Sequence, residues 1–283
     1  MGGRHAEPVF RVSAGAASDV GHVRLHNEDA YLAAHPVFLV ADGMGGHTRG
    51  DAAAAAVVRV FERLGGRSWL DAAELHEATA AAASEIEELA GHGRAPGTTL
   101  AGVATTRQAD RPYWLVFNVG DSRIYLLRDG RLEQLSVDHS RRQDLIDAGI
   151  DPDEVRIGRN IITRALGAGR PGVPVLDQWL LPAQGGDRML VCTDGLTAEV
   201  SDDQLLATLT AHADPQDAAR ALVAGVLTGA ARDNVTAVVV DAVEVAGAET
   251  PVDDEDAATQ PEGAGLDDDT VDLSEYGLPL REE

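Results

Sequence analysis

Three apolar runs of this chain end on an aspartate. Val37–Ala41 leads into Asp42-Gly43, Trp114–Val119 into Gly120-Asp121, and Met189–Thr193 into Asp194-Gly195. A fourth, Asp233, stands just before the closing run Val235–Val240. In an antiparallel sheet the end of one strand and the start of its neighbour share one edge, so these carboxylates are expected at one rim. Gathered carboxylates repel one another and resist burial unless cations hold them. The donors are all oxygens, which favours Mg²⁺ or Mn²⁺ over zinc or copper. Two such ions about 3.5–4 Å apart can bind a bridging water, lower its pKa and stabilise in-line attack. Gly43 fits the same picture, because it lets a backbone carbonyl turn toward an ion where a side chain would crowd it. A solitary Asp-Gly is mostly a turn; four aspartates in register with strand ends predict a metal-dependent active site.

The segment Gly21–Asp29 (GHVRLHNED) adds an arginine and two carboxylates. Arg24 offers a planar donor fork suited to a phosphate dianion. Glu28 and Asp29 are candidates to hold metal-bound waters. His22 and His26 are four apart, but in a predicted loop that spacing carries little weight. Cys192 is the only cysteine and lies inside an apolar run, which predicts a buried structural thiol and excludes intramolecular disulfides and thiolate clusters.

These residues need a framework, and the chain is long enough to supply one. Its 283 residues are 44% hydrophobic, ordinary for a globular protein with a buried core. The net charge of −24 argues against nucleic-acid and anionic membrane surfaces. No run reaches 18 apolar residues and no signal-peptide core is visible, so a cytoplasmic protein is expected. The strong charge favours a monomer. From Ala246 to Glu283 there are 13 acidic residues and one arginine, half of the total charge. Such a stretch cannot bury enough surface to offset chain entropy, so residues 246–283 are expected to be a disordered tail. Thr270, Ser274 and Tyr276 within it invite a regulatory reading, against the simpler one of an acidic solubilising tail. Residues 1–8 are expected to be flexible, leaving 9–245 as the folded unit.

Within that unit, strand and helix periods alternate. Strands are predicted at Val9–Ala17, Ala30–Ala34, Thr98–Thr106, Trp114–Val119, Arg123–Arg128, Arg131–Leu135, Gln178–Leu181, Met189–Thr193 and Val235–Val243. Asp129-Gly130 is a two-residue hairpin signal. Val57, Phe61 and Leu64 share one face of an alanine-rich helix, and Leu75, Ala78, Ala82, Ile86 and Leu89 one side of Asp71–Ala90. Ser201-x-x-Gln204 is a capping box, and Asp214-Pro215 opens another helix with proline at its first position. The fold class is α+β: a four-layer α-β-β-α sandwich of two antiparallel sheets flanked by helix pairs.

In order, the chain reads RLHNED, VADGMGGH, GTTLAG, NVGDSRIYLLRDGRLEQLS, DHS, NIITRALG, LVCTDGL and DNVTAVVV. This closely resembles the metal-dependent protein phosphatases of the type 2C family, in particular the bacterial serine/threonine phosphatases. The resemblance covers about Val9–Val245 and implies the same sandwich fold. It implies that Asp42 bridges two Mn²⁺ or Mg²⁺ ions, with the Gly43 carbonyl on one of them and Asp194 and Asp233 completing a shell. Glu28 and Asp29 match positions that orient metal-bound waters, and Asp121 matches a ligand of a third, weaker ion shared with Asp194. Arg24 matches the substrate-phosphate arginine, Arg164 of TRALG is a further candidate at the phosphate, and Asn234 and Thr236 are expected to support the loop. The implied reaction is direct hydrolysis of phosphoserine or phosphothreonine by a bridging hydroxide, without a covalent intermediate.

Met44 stands where eukaryotic members of the family usually carry a histidine proposed to protonate the leaving group. That leaves His47, His26 and a metal-bound water as candidate general acids. The stretch Val137–Ile162 matches a mobile flap beside the active site. Arg141, Arg142, Arg156 and Arg159 within it offer charges for an acidic phosphopeptide, although a solvated helix face explains them equally well. Implied partners are phosphorylated proteins, substrates of a serine/threonine kinase, with the kinase itself among them. Two other readings stay open: a phosphoprotein-binding module with little activity, and a hydrolase of small phosphoesters.

Overall fold

A computed structural model describes residues 8–45, 49–90, 95–152, 155 and 161–247. Two antiparallel sheets stack face to face. The first orders β1 (Val9–Asp19), β12 (Val235–Ala246), β11 (Arg188–Cys192), β7 (Arg123–Arg128) and β8 (Arg131–Gln134). The second runs β10 (Asp177–Pro182), β6 (Arg111–Val119), β5 (Leu100–Gln108), β3 (Val37–Met44), β4 (Gly97–Thr98) and β9 (Leu166–Gly167), with β2 (Asp29–Ala34) also paired to β3. Helices α1 (Gly50–Glu62) and α2 (Ala72–Glu88) cover the second sheet. α4 (Asp194–Thr197), α5 (Asp202–Ala211) and α6 (Pro215–Leu227) cover the first. A short α3 (Arg141–Asp147) lies between β8 and β9.

Alternation along the strands builds three apolar layers from one sequence. Phe38, Val40, Trp114, Val116, Met189, Val191, Val238 and Val240 point between the sheets. Their neighbours Val37, Leu39, Leu115 and Phe117 face outward onto Val57, Phe61, Leu75 and Ile86. Leu190, Cys192, Ala237 and Val239 face the other way, onto Leu205, Leu209, Leu222 and Val226. Period-two strands buried on both faces and helices with one apolar stripe can satisfy each other only in layers. The expected four-layer α-β-β-α sandwich is what forms. Burial pushes the Cys192 thiol up to about 12, so it stays protonated in the core.

The element boundaries differ from expectation mainly beside the aspartates. The run Thr98–Thr106 is two strands, because Thr99 leaves the ladder to grip Asp42. Its N–H donates to the Asp42 carbonyl (2.9 Å), and its hydroxyl accepts the Asp42 N–H (2.9 Å). Likewise β11 stops at Cys192, and Thr193 becomes the N-cap of the unanticipated α4. The alanine-rich helix ends at Glu62, with Leu64 still packed beneath it. The capping box at Ser201 and the proline start at Asp214 are both present, and Asp71 adds a second box at α2. The expectations for residues 1–7 and 248–283, with Thr270, Ser274 and Tyr276, lie outside the described residues. So do those for His47, Arg156 and Arg159.

Candidate metal centre

The β2–β3 hairpin sets Asp29 directly opposite Asp42. β6 and its turn deliver Asp121, β11 delivers Asp194 at the first turn of α4, and β12 is preceded by Asp233. The two sheets thus contribute carboxylates to one rim from both sides. They lie close enough that Asp29, Asp194, Asp121 and Asp233 all raise the pKa of Asp42, adding to the larger effect of its burial. Burial followed by the charge of Asp233 raises Asp194, and burial followed by Asp194 pushes Asp121 up to about 7. Asp29 is likewise pushed to about 7, chiefly by burial, against hydrogen bonds that oppose the rise.

The unmet demand sits on particular atoms. Asp29 Oδ2 accepts from the hydroxyls of Thr193 (2.9 Å) and Thr236 (2.7 Å). Its Oδ1 is buried with no hydrogen-bond partner, and so is Oδ1 of Asp121. A buried carboxylate oxygen without a donor is costly, and a hard cation is the group that would satisfy several at once. The all-oxygen donor set fits Mg²⁺ or Mn²⁺. Among the described residues, no three His, Cys, Asp or Glu side chains already converge at metal-ligand spacing. The side-chain donors to these carboxylates include Thr193 and Thr236 on Asp29 and Arg24 on Asp233.

Arg24 brings a cation to this rim. Its Nη2 donates to Asp233 Oδ2 at 2.7 Å, which raises its pKa. The loop bearing it is held by Asn234, whose Oδ1 accepts the Glu28 N–H (2.9 Å). Asn234 Nδ2 donates to the carbonyls of Val20 (2.9 Å) and His26 (3.0 Å). Thr236 bonds Ser18 (2.8 Å), which in turn accepts from Asn27 (2.8 Å). Asn234 and Thr236 therefore take the supporting places expected of them.

The Asp-Gly glycines of the rim, Gly43 and Gly195, are required by close backbone approach. A Cβ on Gly43 would fall 2.2 Å from the Gly50 carbonyl oxygen at the start of α1. One on Gly195 would fall 1.9 Å from the Asn234 carbonyl oxygen. The crowding at Gly43 thus comes from α1 and the Glu28 carbonyl (2.6 Å), a tertiary contact that the sequence does not display.

Arg164 lies among different company. It donates to Asp177 (2.6 Å) and to the Val175 carbonyl (3.3 Å), and it lines a cavity of about 460 Å³ beside Met44. His26 is exposed on the loop. Sequence reading passed over His139, which is buried and accepts the Gly120 N–H on Nδ1 (2.9 Å). Nε2 then carries the ring proton and faces Asp177 at 3.0 Å. It also passed over Asp138, which takes Arg123 in a fork at 2.7–3.1 Å. The DHS triplet was the available signal for both.

Comparisons with known proteins agree on one family. Serine/threonine protein phosphatase PstP of Mycobacterium tuberculosis is 38% identical over 242 residues, 81% of this chain. The chain spans only 45% of that relative's length. Serine/threonine phosphatase stp of Listeria welshimeri is 30% identical over 247 residues, covering 79% of this chain and 93% of the relative. A solved PstP catalytic domain in complex with two manganese ions superposes with a TM-score of 0.73 at 36% identity, over 83% of this chain and 100% of that one. The sequence model of the family described as Protein phosphatase 2C matches residues 21–227, most of the folded unit. This chain belongs to the protein phosphatase 2C family.

Proposed function

We propose that this chain is a metal-dependent protein serine/threonine phosphatase whose catalytic unit is residues 9–245. The observation that carries the reading is the rim itself. Five aspartates from two sheets meet there, two of their buried oxygens lack donors, and Arg24 stands beside them. Asp42, Asp194, Asp233 and the Gly43 carbonyl would hold two ions, Mn²⁺ or Mg²⁺. Glu28 and Asp29 would orient coordinated water, and Asp121 with Asp194 would serve a third, weaker site. When bound, the ions supply Lewis acidity and a water of lowered pKa. Arg24 orients the phosphate through its donor fork, and moving from Asp233 to substrate costs it little because both are anions. Thr193 and Thr236 keep Asp29 aimed into the site. Phosphorylated proteins are the proposed substrates, products of a serine/threonine kinase that is itself a candidate partner. Action as a cytoplasmic monomer belongs to the same reading, supported by the charge of −24. No helix among the described residues is long and apolar enough to cross a membrane.

The test is phosphate release from a phosphothreonine peptide with Mn²⁺, with EDTA and with Asp42→Asn. Mn²⁺-dependent release lost in the variant is expected. No release from folded wild-type protein would overturn the reading, and fast turnover of small phosphoesters alone would favour a metabolite hydrolase.

A further inference from the structure

The cavity beside Met44 is built on the edge of the second sheet. Met44 at the end of β3 lines it, and because Met44 pairs with Gly97 and Gly97 with Gly167, the turn after β9 that carries Ala168 and Arg170 is brought alongside. Ile162 and Ala168 add apolar wall, and Arg164 and Arg170 supply the charge. The two arginines are not equivalent. Arg164 is already neutralised by Asp177 at 2.6 Å. Arg170 is exposed, and its guanidinium has no hydrogen bond or ion pair among the described residues, in a chain whose net charge is −24. Its position is fixed all the same. The turn that carries it is anchored by Ala168 N–H to the Pro96 carbonyl (2.8 Å) and Arg170 N–H to the Gly167 carbonyl (3.0 Å).

A cavity of about 460 Å³ with Met44, Ile161 and Ile162 in its wall and one unspent cation suits a side chain with a methylene stem and an anionic head. We propose that this cavity is a substrate subsite taking an acidic side chain of the phosphoprotein, glutamate above all, with Arg170 as its charge partner. The proposal rests on the phosphatase reading. Spacing makes it specific. Adjacent strands lie about 4.8 Å apart, so Gly167, three residues before Arg170, is roughly 10 Å across the sheet from Met44, two residues beyond Asp42. An extended peptide rises about 3.3 Å per residue, which puts the acidic residue two or three positions from the phosphorylated one. The flap arginines Arg141 and Arg142, suggested by the sequence for acidic peptides, sit at the start of α3 and do not line this cavity.

The experiment measures kcat/KM with Mn²⁺ for phosphothreonine peptides carrying Glu, Ala or Lys at positions two and three residues to either side. Wild type, Arg170→Ala and Arg170→Glu are compared, with p-nitrophenyl phosphate hydrolysis recorded on each preparation. Wild type is expected to favour Glu over Ala about fivefold at one of these positions, the size of a partly exposed ion pair. Arg170→Ala should bring that ratio to about one, and Arg170→Glu should turn the preference to Lys. Ratios between peptides within one variant are unaffected by a loss of folded enzyme. A wild type indifferent to all substitutions, or a Glu preference surviving Arg170→Glu, overturns the subsite while p-nitrophenyl phosphate turnover leaves the phosphatase reading standing. Turnover of no substrate by wild type would overturn both.

Discussion

Asp29 concentrates the electrostatics of the site in one side chain. One oxygen takes two hydroxyl donors and the other takes none, within a cluster of like charges. Burial and those neighbours bring Asp29 to about 7, and Asp121 to about 7 for the same kind of reason. A carboxyl whose pKa is higher folded than unfolded binds more protons in the folded state between the two values. Its contribution to stability is therefore present at low pH and lost as pH rises from about 3.8 toward about 7. Metal-free protein is expected to lose on the order of a few kcal/mol over that window, since each such carboxyl gives up about 1.4 kcal/mol per pH unit crossed. Saturating Mn²⁺ should remove the loss, because bound cations favour the ionised form. Urea unfolding at about pH 5 and about pH 8, in EDTA and in Mn²⁺, measures both slopes. Metal-free protein that gains stability toward pH 8 would contradict this picture of the rim.

At the scale of elements, the loop from Val20 to Glu28 has little regular structure of its own and is held by the residue that precedes β12. Asn234 makes three hydrogen bonds to that loop. Asn234→Ala should cost about 2–4 kcal/mol, at about 1 kcal/mol net per bond with some buried groups left unpaired. It should also lower kcat/KM on phosphopeptides as Arg24 loses its place. Urea midpoints and steady-state kinetics check the two effects, and a variant within about 0.5 kcal/mol of wild type would show that the loop holds itself. The strand ends were legible in sequence because period-two apolar runs stop on Asp-Gly or Gly-Asp, a local pattern. Asn234, Thr99 and His139 were less so, because their partners are set by folding: Asn234 and the Glu28 N–H are 206 residues apart. The break in Thr98–Thr106 was hidden for the same reason. All its residues suit a strand, and only the distant Asp42 peptide pulls Thr99 out of the ladder. The cavity by Met44 was invisible too, since its lining runs from Met44 to Arg170 and is brought together only by strand pairing.

At the scale of the molecule, three apolar layers fix two sheets so that their strand ends meet at one edge. The inter-sheet layer, with Phe38 and Trp114 fully enclosed, holds Asp42 and Asp121 of one sheet against Asp194 and Asp233 of the other. Charge repulsion at that edge works against the packing that creates it, and divalent cations would reconcile the two. The most direct test is a calorimetric titration of Mn²⁺ into metal-free wild type and Asp42→Asn near neutral pH, repeated in buffers of different ionisation enthalpy to count protons. The account predicts at least two ions per wild-type chain, net proton release from the raised carboxyls, and weakened binding in Asp42→Asn. Folded wild type that binds no Mn²⁺, or binds it equally well without the Asp42 carboxylate, would contradict the metal centre and the phosphatase built on it.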